Sequence, residues 1–549
     1  MRPTLLGLVL FLLFACGDAS TTVEQTDGLP AAKSASHKPM IKPLQLRTYQ
    51  GSLLGKWAEE SRQIRTFQGI PYARPPVAEL RWQPPQAPPV WTEVRHAMEP
   101  GPACWQAWNS EYFVWERGKF PRSEDCLYLN IWSAADAAEH PVMVWFHGGG
   151  HTVGMAHEQI FDGTELAKQG VVVVTVNYRL GPFGFLAHPA LAAQSSHNSA
   201  GNYGLLDKIA ALNWVRDNIS QFGGNPDNVT IFGQSAGSQS VCSLMVSPLA
   251  RGLFHKAIGQ SASCVSPLPT ADSNGFRRGQ RLAAELGPEQ TVSALRAATA
   301  EQVLAAADRS NWAEQSRIVT DGWVLPDSQD ALYASGQQAQ VPLLLGWLSN
   351  EGHLLFPGSA EISEKELEAF AFQLAGAELG PQLLDLYRAH AKVSPTLAQQ
   401  EIKTDLFMAY GMRRWADHHA HAELPTYVYY MDHDTPAFRL YWPDNADLQL
   451  PQGPRSAGAY HSGDLAYMFG NTRRVGMGWK DQDHALAAMM VRYWTNFAKR
   501  GDPNGEGLPQ WQAYDGQNRA TLLLKPDAHT VAGVQRDVLD LWDQRFNTD

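Results

Sequence analysis

The 549-residue sequence has few of the features that mark several common classes of protein. It carries no run of basic residues that could neutralise phosphates, and its formal net charge is −11, which argues against a nucleic-acid partner. No His, Cys, Asp and Glu residues have the spacing of a metal site, and we find no internal repeat. What is present is an ordinary globular composition, with 44% hydrophobic and 18% charged residues.

Long hydrophobic runs are also missing, apart from an N-terminal one that is too short to span a bilayer as a stable anchor. A positively charged start precedes the apolar run Leu5 to Phe14, an order typical of a signal peptide. Ala15, Cys16 and Gly17 follow and resemble the lipobox of bacterial lipoproteins, which predicts lipidation of Cys16. We therefore expect an exported chain: a lipoprotein of the outer membrane or periplasm, or otherwise a secreted protein.

The chain divides into three parts by composition. Residues 1–16 are the predicted signal peptide with its lipobox-like end. Residues 17–43 are polar, rich in Pro, Ser and Ala, and predicted to be a disordered tether. Residues 44–545 are expected to form a single domain, because large α/β folds often exceed the usual domain length. A membrane contact is expected only through the N-terminal lipid.

Cysteine is scarce. Apart from the lipobox residue four cysteines remain, and an even number in an exported chain permits disulfides. Of the three possible pairings, the one with two short loops is favoured: Cys104 with Cys126, and Cys242 with Cys264. The second bond stays open at this point, because Cys242 lies in a predicted helix where a small buried thiol would also fit.

The segment FGGNPDNVTIFGQSAGSQSVCSLMV, at residues 222–246, has the order of strand, tight turn and helix. The apolar run Val229–Phe232 predicts a buried strand, and G-x-S-x-G follows at Gly233–Gly237. In this context the motif is typical of a nucleophile elbow, a strained turn that presents a serine above a sheet. The helix after Ser235 would aim its positive N-terminal end at a developing oxyanion. We therefore predict that Ser235 is a nucleophile.

Other apolar runs alternate with helical stretches along the chain. The predicted strands are Leu44–Leu54, Glu124–Trp132, Pro141–Phe146, Val171–Asn177 and Val341–Leu345, with a helix at Gly204–Ile219. The proline-punctuated segment Phe67–Pro76 is predicted to be an irregular surface crossing. The alternation indicates an α/β fold with a predominantly parallel sheet and helices on both faces.

Several segments together resemble the type-B carboxylesterase family, which includes the cholinesterases. They are FQGIPYARPPVAELRW, EDCLYLNIW, NYRLGPFGFL, FGGNPDNVTIFGQSAG and YWTNFAKRGDPN, and the similarity extends from about Leu44 to about Trp542. The resemblance implies the α/β-hydrolase fold, with a central mostly parallel sheet, flanking helices and large insertion loops that form an active-site gorge. It also implies a serine carboxylic-ester hydrolase that needs no cofactor.

The family's triad takes its members in the chain order nucleophile, acid and histidine. Glu351, in the polar turn after an apolar strand, resembles the catalytic glutamate, and Asp327 is the alternative that no strand leads into. His461, in the segment GAYHSGDL, resembles the catalytic histidine, and His433 is the alternative.

The developing oxyanion needs preorganised N–H donors. The segment HGGG at residues 147–150 follows a predicted strand and is of the type that supplies them. The resemblance implies that the donors are the amides of Gly149, Gly150 and Ala236.

Further residues are implied by the resemblance to surround the triad. Ser261 and Asp464 fall at family positions that form hydrogen bonds behind the histidine. The loop between the first two cysteines of the domain forms one wall of the gorge in the family, and Trp115 lies close to a tryptophan that stacks on the quaternary ammonium in cholinesterases. Gln234 stands where relatives usually have glutamate. Its neutral amide removes a negative charge and so weakens the case for a cationic substrate.

Three functions follow from these observations. The leading one is hydrolysis of apolar or aromatic small-molecule esters through an acyl-enzyme. The second is a cholinesterase-like or otherwise specialised esterase. The third is a non-catalytic cell-surface binding module, because some members of the family have lost the nucleophile. The sequence carries no signal for the physiological substrate or the oligomeric state.

Overall fold

An eleven-stranded sheet forms the centre of the computed structural model, which describes residues 44–108, 114–115, 120–136, 138–265, 273–314, 317–355, 361–439 and 455–546. The strands of these residues are β1 (Gln45–Arg47), β2 (Ser52–Leu54), β3 (Lys56–Trp57), β4 (Ile64–Pro71), β5 (Arg95–His96), β6 (Ala103–Cys104), β7 (Arg122–Ser123), β8 (Tyr128–Ala134), β9 (His140–Phe146), β10 (Val172–Val176), β11 (Gly224–Gln234), β12 (Lys256–Gln260), β13 (Leu343–Leu348), β14 (Thr426–Met431), β15 (Pro436–Ala437), β16 (Arg455–Ser456), β17 (Ala520–Leu524) and β18 (His529–Ala532).

The central sheet has the order β18-β17-β14-β13-β12-β11-β9-β10-β8-β4-β3. The strands from β17 to β10 in this order pair in parallel, whereas the strands at both edges pair antiparallel. This arrangement confirms the predicted mostly parallel sheet. Its register aligns Gln234 with Gln260, and Gln260 with Gly346. The carboxyl ends of β11, β12 and β13 therefore meet at one edge, where open α/β sheets bind their ligands.

Helices connect the strands and cover the sheet. Within the described residues they are α1 (Thr164–Ala167), α2 (Gly181–Phe185), α3 (Pro189–Gln194), α4 (Tyr203–Asn218), α5 (Ala236–Val246), α6 (Phe276–Leu286), α7 (Val292–Ala297), α8 (Ala300–Arg309), α9 (Gln329–Ala334), α10 (Gly352–Leu355), α11 (Glu364–Leu386), α12 (Arg388–Val393), α13 (Pro395–Thr404), α14 (Tyr410–His421), α15 (Leu465–Met468), α16 (Asp481–Arg500) and α17 (Arg536–Phe546). A π-helical turn, Asp405–Ala409, joins α13 to α14. None of these helices combines the length and hydrophobicity needed to cross a membrane.

The sheet is buried on both faces. Along β9, Val142 and Val144 belong to one hydrophobic cluster, whereas Met143 and Trp145 belong to a second. Because neighbouring side chains of a strand point to opposite faces, the two clusters lie on opposite sides of the sheet. The first includes residues of α4 and α5, and the second includes residues of α15 and α16.

Two local predictions were wrong. The segment Leu44–Leu54 is not one edge strand but the hairpin of β1 and β2, because Thr48 N–H donates to the carbonyl of Gly51, 2.9 Å away, and turns the chain. The segment Phe67–Pro76 does not begin as a surface crossing, since residues up to Pro71 belong to β4, a buried strand between β3 and β8. Its prolines lie at or beyond the end of the strand, where no ladder donor is needed.

The predicted signal peptide at residues 1–16, the lipidation site Cys16 and the tether at residues 17–43 lie outside the described residues.

Candidate active site

Ser235 lies in the sharp turn between β11 and α5. Its backbone has φ 56° and ψ −125°, a conformation rare for a residue with a side chain. The turn packs so tightly on β9 that a Cβ at Gly237 would lie 1.9 Å from the carbonyl oxygen of Phe146, so only glycine fits there. The serine is half-buried and its N–H donates to the carbonyl of Gln260, 2.8 Å away. This geometry is that of a nucleophile elbow.

His461 and Glu351 form a buried pair close to this turn. Nδ1 of His461 donates to Oε2 of Glu351 at 2.5 Å, and the side chains are 4% and 0% exposed. The other carboxylate oxygen, Oε1, accepts the N–H of Leu348 at 2.8 Å, at the end of β13. The carboxylate therefore has a fixed orientation, and it selects the imidazole tautomer with its proton on Nδ1.

The unprotonated nitrogen of that tautomer, Nε2, faces the residue before the serine. Nε2 of His461 lies 3.2 Å from Nε2 of Gln234, whose amide donates to it. Among the described side chains, no hydrogen bond joins Ser235 to His461. Catalytic hydrogen bonds of this kind often form only in the complex with substrate, so the absence of this bond does not argue against proton transfer between the two side chains.

The turns that carry the acid and the histidine are bound to each other by Asn350. Its N–H donates to the carbonyl of Ala459 at 3.0 Å, and its Oδ1 accepts the N–H of Ala459 at 3.1 Å. No motif in the sequence marks Asn350, and only its place next to Glu351 could have pointed to it. These bonds keep Glu351 and His461 in register with each other.

The glycine-rich segment at residues 147–154, called the oxyanion loop after the donors predicted there, packs against the serine turn. A Cβ at Gly148 would lie 3.1 Å from Cβ of Ser235. The carbonyl of Gly148 accepts a hydrogen bond from Nδ1 of His147 at 2.8 Å. The carbonyl of Gly149 accepts hydrogen bonds from the N–H groups of Thr152 and Val153, each at 3.0 Å. Since N–H and C=O of a trans peptide unit point in opposite directions, the amides of Gly149 and Gly150 face away from these partners. Neither amide has a hydrogen-bond partner among the described residues, nor has that of Ala236.

Asp464 and Ser261 lie in the same buried region without a hydrogen bond to His461 in the part of the chain that the structure describes. Oδ2 of Asp464 accepts from Nε2 of Gln260 at 2.7 Å and from the hydroxyl of Tyr429 at 3.0 Å. Burial raises the pKa of Asp464 to about 6. Its Oδ1 and the hydroxyl of Ser261 are buried without a partner among the described residues.

Trp115 borders the histidine. Its ring lies edge-on to His461 with a centroid separation of 5.9 Å, and its Nε1 donates to Oγ of Ser462 at 2.8 Å. The side chain is half-buried, so part of the indole remains accessible beside the imidazole.

Both expected disulfides are present. Cys104 is bonded to Cys126, and Cys242 is bonded to Cys264. The second bond links the helix that follows the nucleophile turn to the segment that follows β12, so the alternative of a free buried thiol at Cys242 is excluded.

The competing acid and base lie elsewhere. Nε2 of His433 is 2.6 Å from Asp483, whose carboxylate also accepts the hydroxyl of Tyr467. Asp327 is exposed and accepts the N–H of its neighbour Ser328. Neither residue contacts the serine turn. Within the described chain, no group of three or more His, Cys, Asp or Glu could hold a metal ion.

Residues 42–542 match the model of the family described as "Carboxylesterase family". The chain belongs to the carboxylesterase family. It is 36% identical to the para-nitrobenzyl esterase of Bacillus subtilis over 479 residues, 84% of this chain and 91% of that protein. It is also 33% identical to liver carboxylesterase 1 of Oryctolagus cuniculus over 537 residues, 88% and 90% of the two chains.

Solved structures agree with this assignment. A carboxylesterase from Geobacillus stearothermophilus superposes with a TM-score of 0.77 at 33% sequence identity, covering 91% of this chain and 100% of that one. A para-nitrobenzyl esterase structure gives a TM-score of 0.77 at 32% identity, covering 90% and 99%. The expected family and the α/β-hydrolase fold are therefore confirmed. The protein is therefore a carboxylic-ester hydrolase.

Proposed function

We propose that this carboxylesterase works through a triad of Ser235, His461 and Glu351. The observation that supports it best is the buried His461–Glu351 hydrogen bond of 2.5 Å beside the strained serine turn. Nε2 of His461 takes the proton of the serine hydroxyl as Oγ attacks the ester carbonyl, and gives it to the leaving alcohol. Water then attacks the carbonyl of the acyl-enzyme, and Nε2 of His461 takes its proton and returns it to Ser235 in the same way. Glu351 holds the tautomer that can accept the proton and stabilises the imidazolium.

The amides of Gly149, Gly150 and Ala236 are the proposed oxyanion hole. The two glycine amides face away from the internal bonds of the oxyanion loop, and the amide of Ala236 is at the N-terminus of α5. Such N–H groups are fixed before the reaction and stabilise the charge that develops on the carbonyl oxygen. A single donor of this type is worth about 10²–10³ in turnover.

Asp464 and Ser261 are proposed to support the histidine from behind. Asp464 is close enough to His461 for its charge to matter, since the imidazolium lowers and Glu351 raises the pKa of this carboxyl. Asp464→Asn should therefore change the acidic limb of the pH profile of kcat/KM. An unchanged profile would remove Asp464 from the proposal.

The proposed substrates are uncharged small-molecule esters with apolar or aromatic groups. Trp115 offers an indole beside His461, and the neutral Gln234 contributes no negative charge next to the reacting centre. The relatives include a para-nitrobenzyl esterase, which fits an aromatic alcohol group. The alternative is a cholinesterase-like preference, in which Trp115 would stack on a quaternary ammonium.

Hydrolysis of a p-nitrophenyl ester series from acetate to laurate, with the Ser235→Ala variant as the blank, tests the activity and ranks acyl chain lengths. Acylcholines of matched acyl length, followed by acid release, test the alternative. We expect uncharged esters to be hydrolysed faster. Gln234→Glu is expected to move the ratio toward acylcholines by roughly fivefold, since one added charge several ångströms away is worth about 1 kcal/mol. A preference for acylcholines in the wild type would replace the proposal by the cholinesterase-like one.

The domain division and export remain proposals. We propose that residues 1–16 are the signal peptide with its lipobox-like end, and that cleavage before Cys16 leaves this residue at the N-terminus to carry the lipid. We also propose that residues 17–43 are the tether and that residues 44–545 form one catalytic domain. Cys16→Ser tests the anchor in a bacterial host that processes lipoproteins. Loss of palmitate labelling and release from the membrane fraction are expected. Equal release of the wild type would favour ordinary secretion.

A further inference from the structure

The carboxamide of Gln106 connects the Cys104–Cys126 loop to the oxyanion loop. Gln106 is 7% exposed and lies two residues after Cys104. Its Oε1 accepts the N–H of Gly154 at 2.8 Å, and its Nε2 donates to the carbonyls of Gly154 at 2.9 Å and Cys104 at 3.0 Å. One side chain thus binds both backbone groups of a single residue in the oxyanion loop, and both of its amide protons are used.

Gly154 acts on the rest of the oxyanion loop through the peptide unit that it shares with Val153. The N–H that Gln106 accepts belongs to the same peptide unit as the carbonyl of Val153, so the bond fixes the direction of that carbonyl. The carbonyl packs directly on Gly149, where a Cβ would lie 2.1 Å from it. Val153 also donates its N–H to the carbonyl of Gly149 at 3.0 Å. The carbonyl of Gly149 belongs to the same peptide unit as the N–H of Gly150, so its direction also sets the direction of that N–H.

Gln106 is itself held by another residue of the Cys104–Cys126 loop. Its backbone carbonyl accepts a hydrogen bond from Nη1 of Arg122. The guanidinium of Arg122 packs over the rings of Trp105 and Trp108, 4.6 and 4.2 Å from their centroids. The disulfide fixes Cys104, which accepts the third bond of the carboxamide. The anchor of the oxyanion loop is therefore a covalently closed segment rather than a free loop.

We propose that Gln106 is a positioning residue of the oxyanion hole: through Gly154 and Val153 it sets the direction of the amides of Gly149 and Gly150. It touches neither Ser235 nor His461 in the described structure. The inference rests on the oxyanion role proposed above for these amides. The Cys104–Cys126 loop, which the resemblance implies is one wall of the gorge, thereby takes part in transition-state stabilisation.

The test is Gln106→Leu, which removes three hydrogen bonds and nearly preserves the volume of the side chain. We expect kcat for p-nitrophenyl butyrate to fall about 10- to 100-fold, because the glycine amides lose part of their fixed direction. KM should change by less than about threefold, since ester binding in the ground state does not use the oxyanion donors. The Ki of a trifluoromethyl ketone, which forms a tetrahedral adduct with the serine, should rise by the same factor as kcat falls.

A matched control is Asn504→Leu. The carboxamide of Asn504 also binds both backbone groups of one residue, with its Oδ1 accepting the N–H of Trp511 at 2.7 Å and its Nδ2 donating to the carbonyl at 2.9 Å, but it contributes nothing to the site. This variant should lose stability to a similar degree and keep its kcat. Gln106→Glu retains an oxygen for the N–H of Gly154 and should recover part of the lost kcat, and it replaces the leucine variant if that one does not fold.

The inference is overturned if folded Gln106→Leu keeps kcat within about twofold of the wild type, if Asn504→Leu loses as much kcat, or if the ketone binds unchanged while kcat falls. A failure of the underlying mechanism is distinguishable from these results. It would appear as turnover in Ser235→Ala, or as a trifluoromethyl ketone that binds the wild type no more tightly than the ester substrate does, whatever Gln106→Leu does.

Discussion

Ser235→Ala is expected to lower kcat by roughly 10⁶-fold, the cost of removing the nucleophile from a serine hydrolase whose other groups stay in place. The fold should survive the change. The side chain of Ser235 makes no capping hydrogen bond to α5, and alanine meets the same backbone strain at φ 56° as serine does. The measurement is steady-state hydrolysis of p-nitrophenyl butyrate beside the melting temperatures of both proteins. Residual catalysis above the uncatalysed rate in water is expected, because the proposed oxyanion amides remain.

The outcome that would contradict this expectation is turnover within about a hundredfold of the wild type by folded Ser235→Ala. A contaminating esterase is recognised by adding a phosphonate inhibitor to the variant. If the activity comes from a contaminant, the amount of phosphonate needed to abolish it does not match the amount of variant present.

Glu351→Gln is expected to lower kcat by roughly 10⁴-fold while leaving the shape of the site intact. Leu348 N–H donates to Oε1 of Glu351, so the glutamine would keep its oxygen on Leu348 and turn its NH₂ toward His461. The imidazole would then accept at Nδ1 and carry its proton on Nε2, the tautomer that cannot take the proton of serine. Single-turnover measurement of acylation, with the melting temperature, separates this effect from unfolding.

The control is Glu401→Gln, the same substitution in a second histidine–glutamate pair. Oε1 of Glu401 lies 2.7 Å from Nε2 of His353, and the pKa of His353 is raised chiefly by this hydrogen bond. That histidine is outside the proposed triad, and glutamine keeps an oxygen for Nδ2 of Asn350, which donates to Oε1 of Glu401 at 3.4 Å, so we expect kcat within about threefold of the wild type. If both substitutions reduced kcat alike, the orientation of His461 by Glu351 would not explain the loss.

Much of the fold could be predicted from local patterns. Val142, Val144 and Phe146 lie in an unbroken apolar run, and such runs between helical stretches indicate buried parallel strands. The G-x-S-x-G turn gave the place of Ser235 for the same reason, because strand, turn and helix are contiguous in the chain. The failure at Phe67–Pro76 shows the limit. Its prolines suggested a loop, but they lie at the end of the strand, where they cost no hydrogen bond.

Contacts between distant segments could not be predicted in this way. Gln234 and His461 are 227 residues apart, and their hydrogen bond depends on how two loops meet above the sheet. Gln106 and Gly154 lie closer in the chain, 48 residues apart. No periodic sequence pattern predicts a hydrogen bond from a side chain to the backbone of another loop. Sequence resemblance pointed to Glu351 and His461 as the acid and the base that we propose. It did not supply the hydrogen bonds of Asn350 and Gln106 that hold their surroundings.

The most direct test of the central claim is covalent labelling of the full chain with a fluorophosphonate, followed by peptide mass spectrometry. We predict one label per molecule, on the peptide that contains Ser235, with hydrolysis lost in proportion to labelling. Labelling should be slowed by more than about a hundredfold in His461→Ala, because the serine then has no base. A label on any other residue that abolished hydrolysis, or full activity of protein labelled at Ser235, would contradict the account.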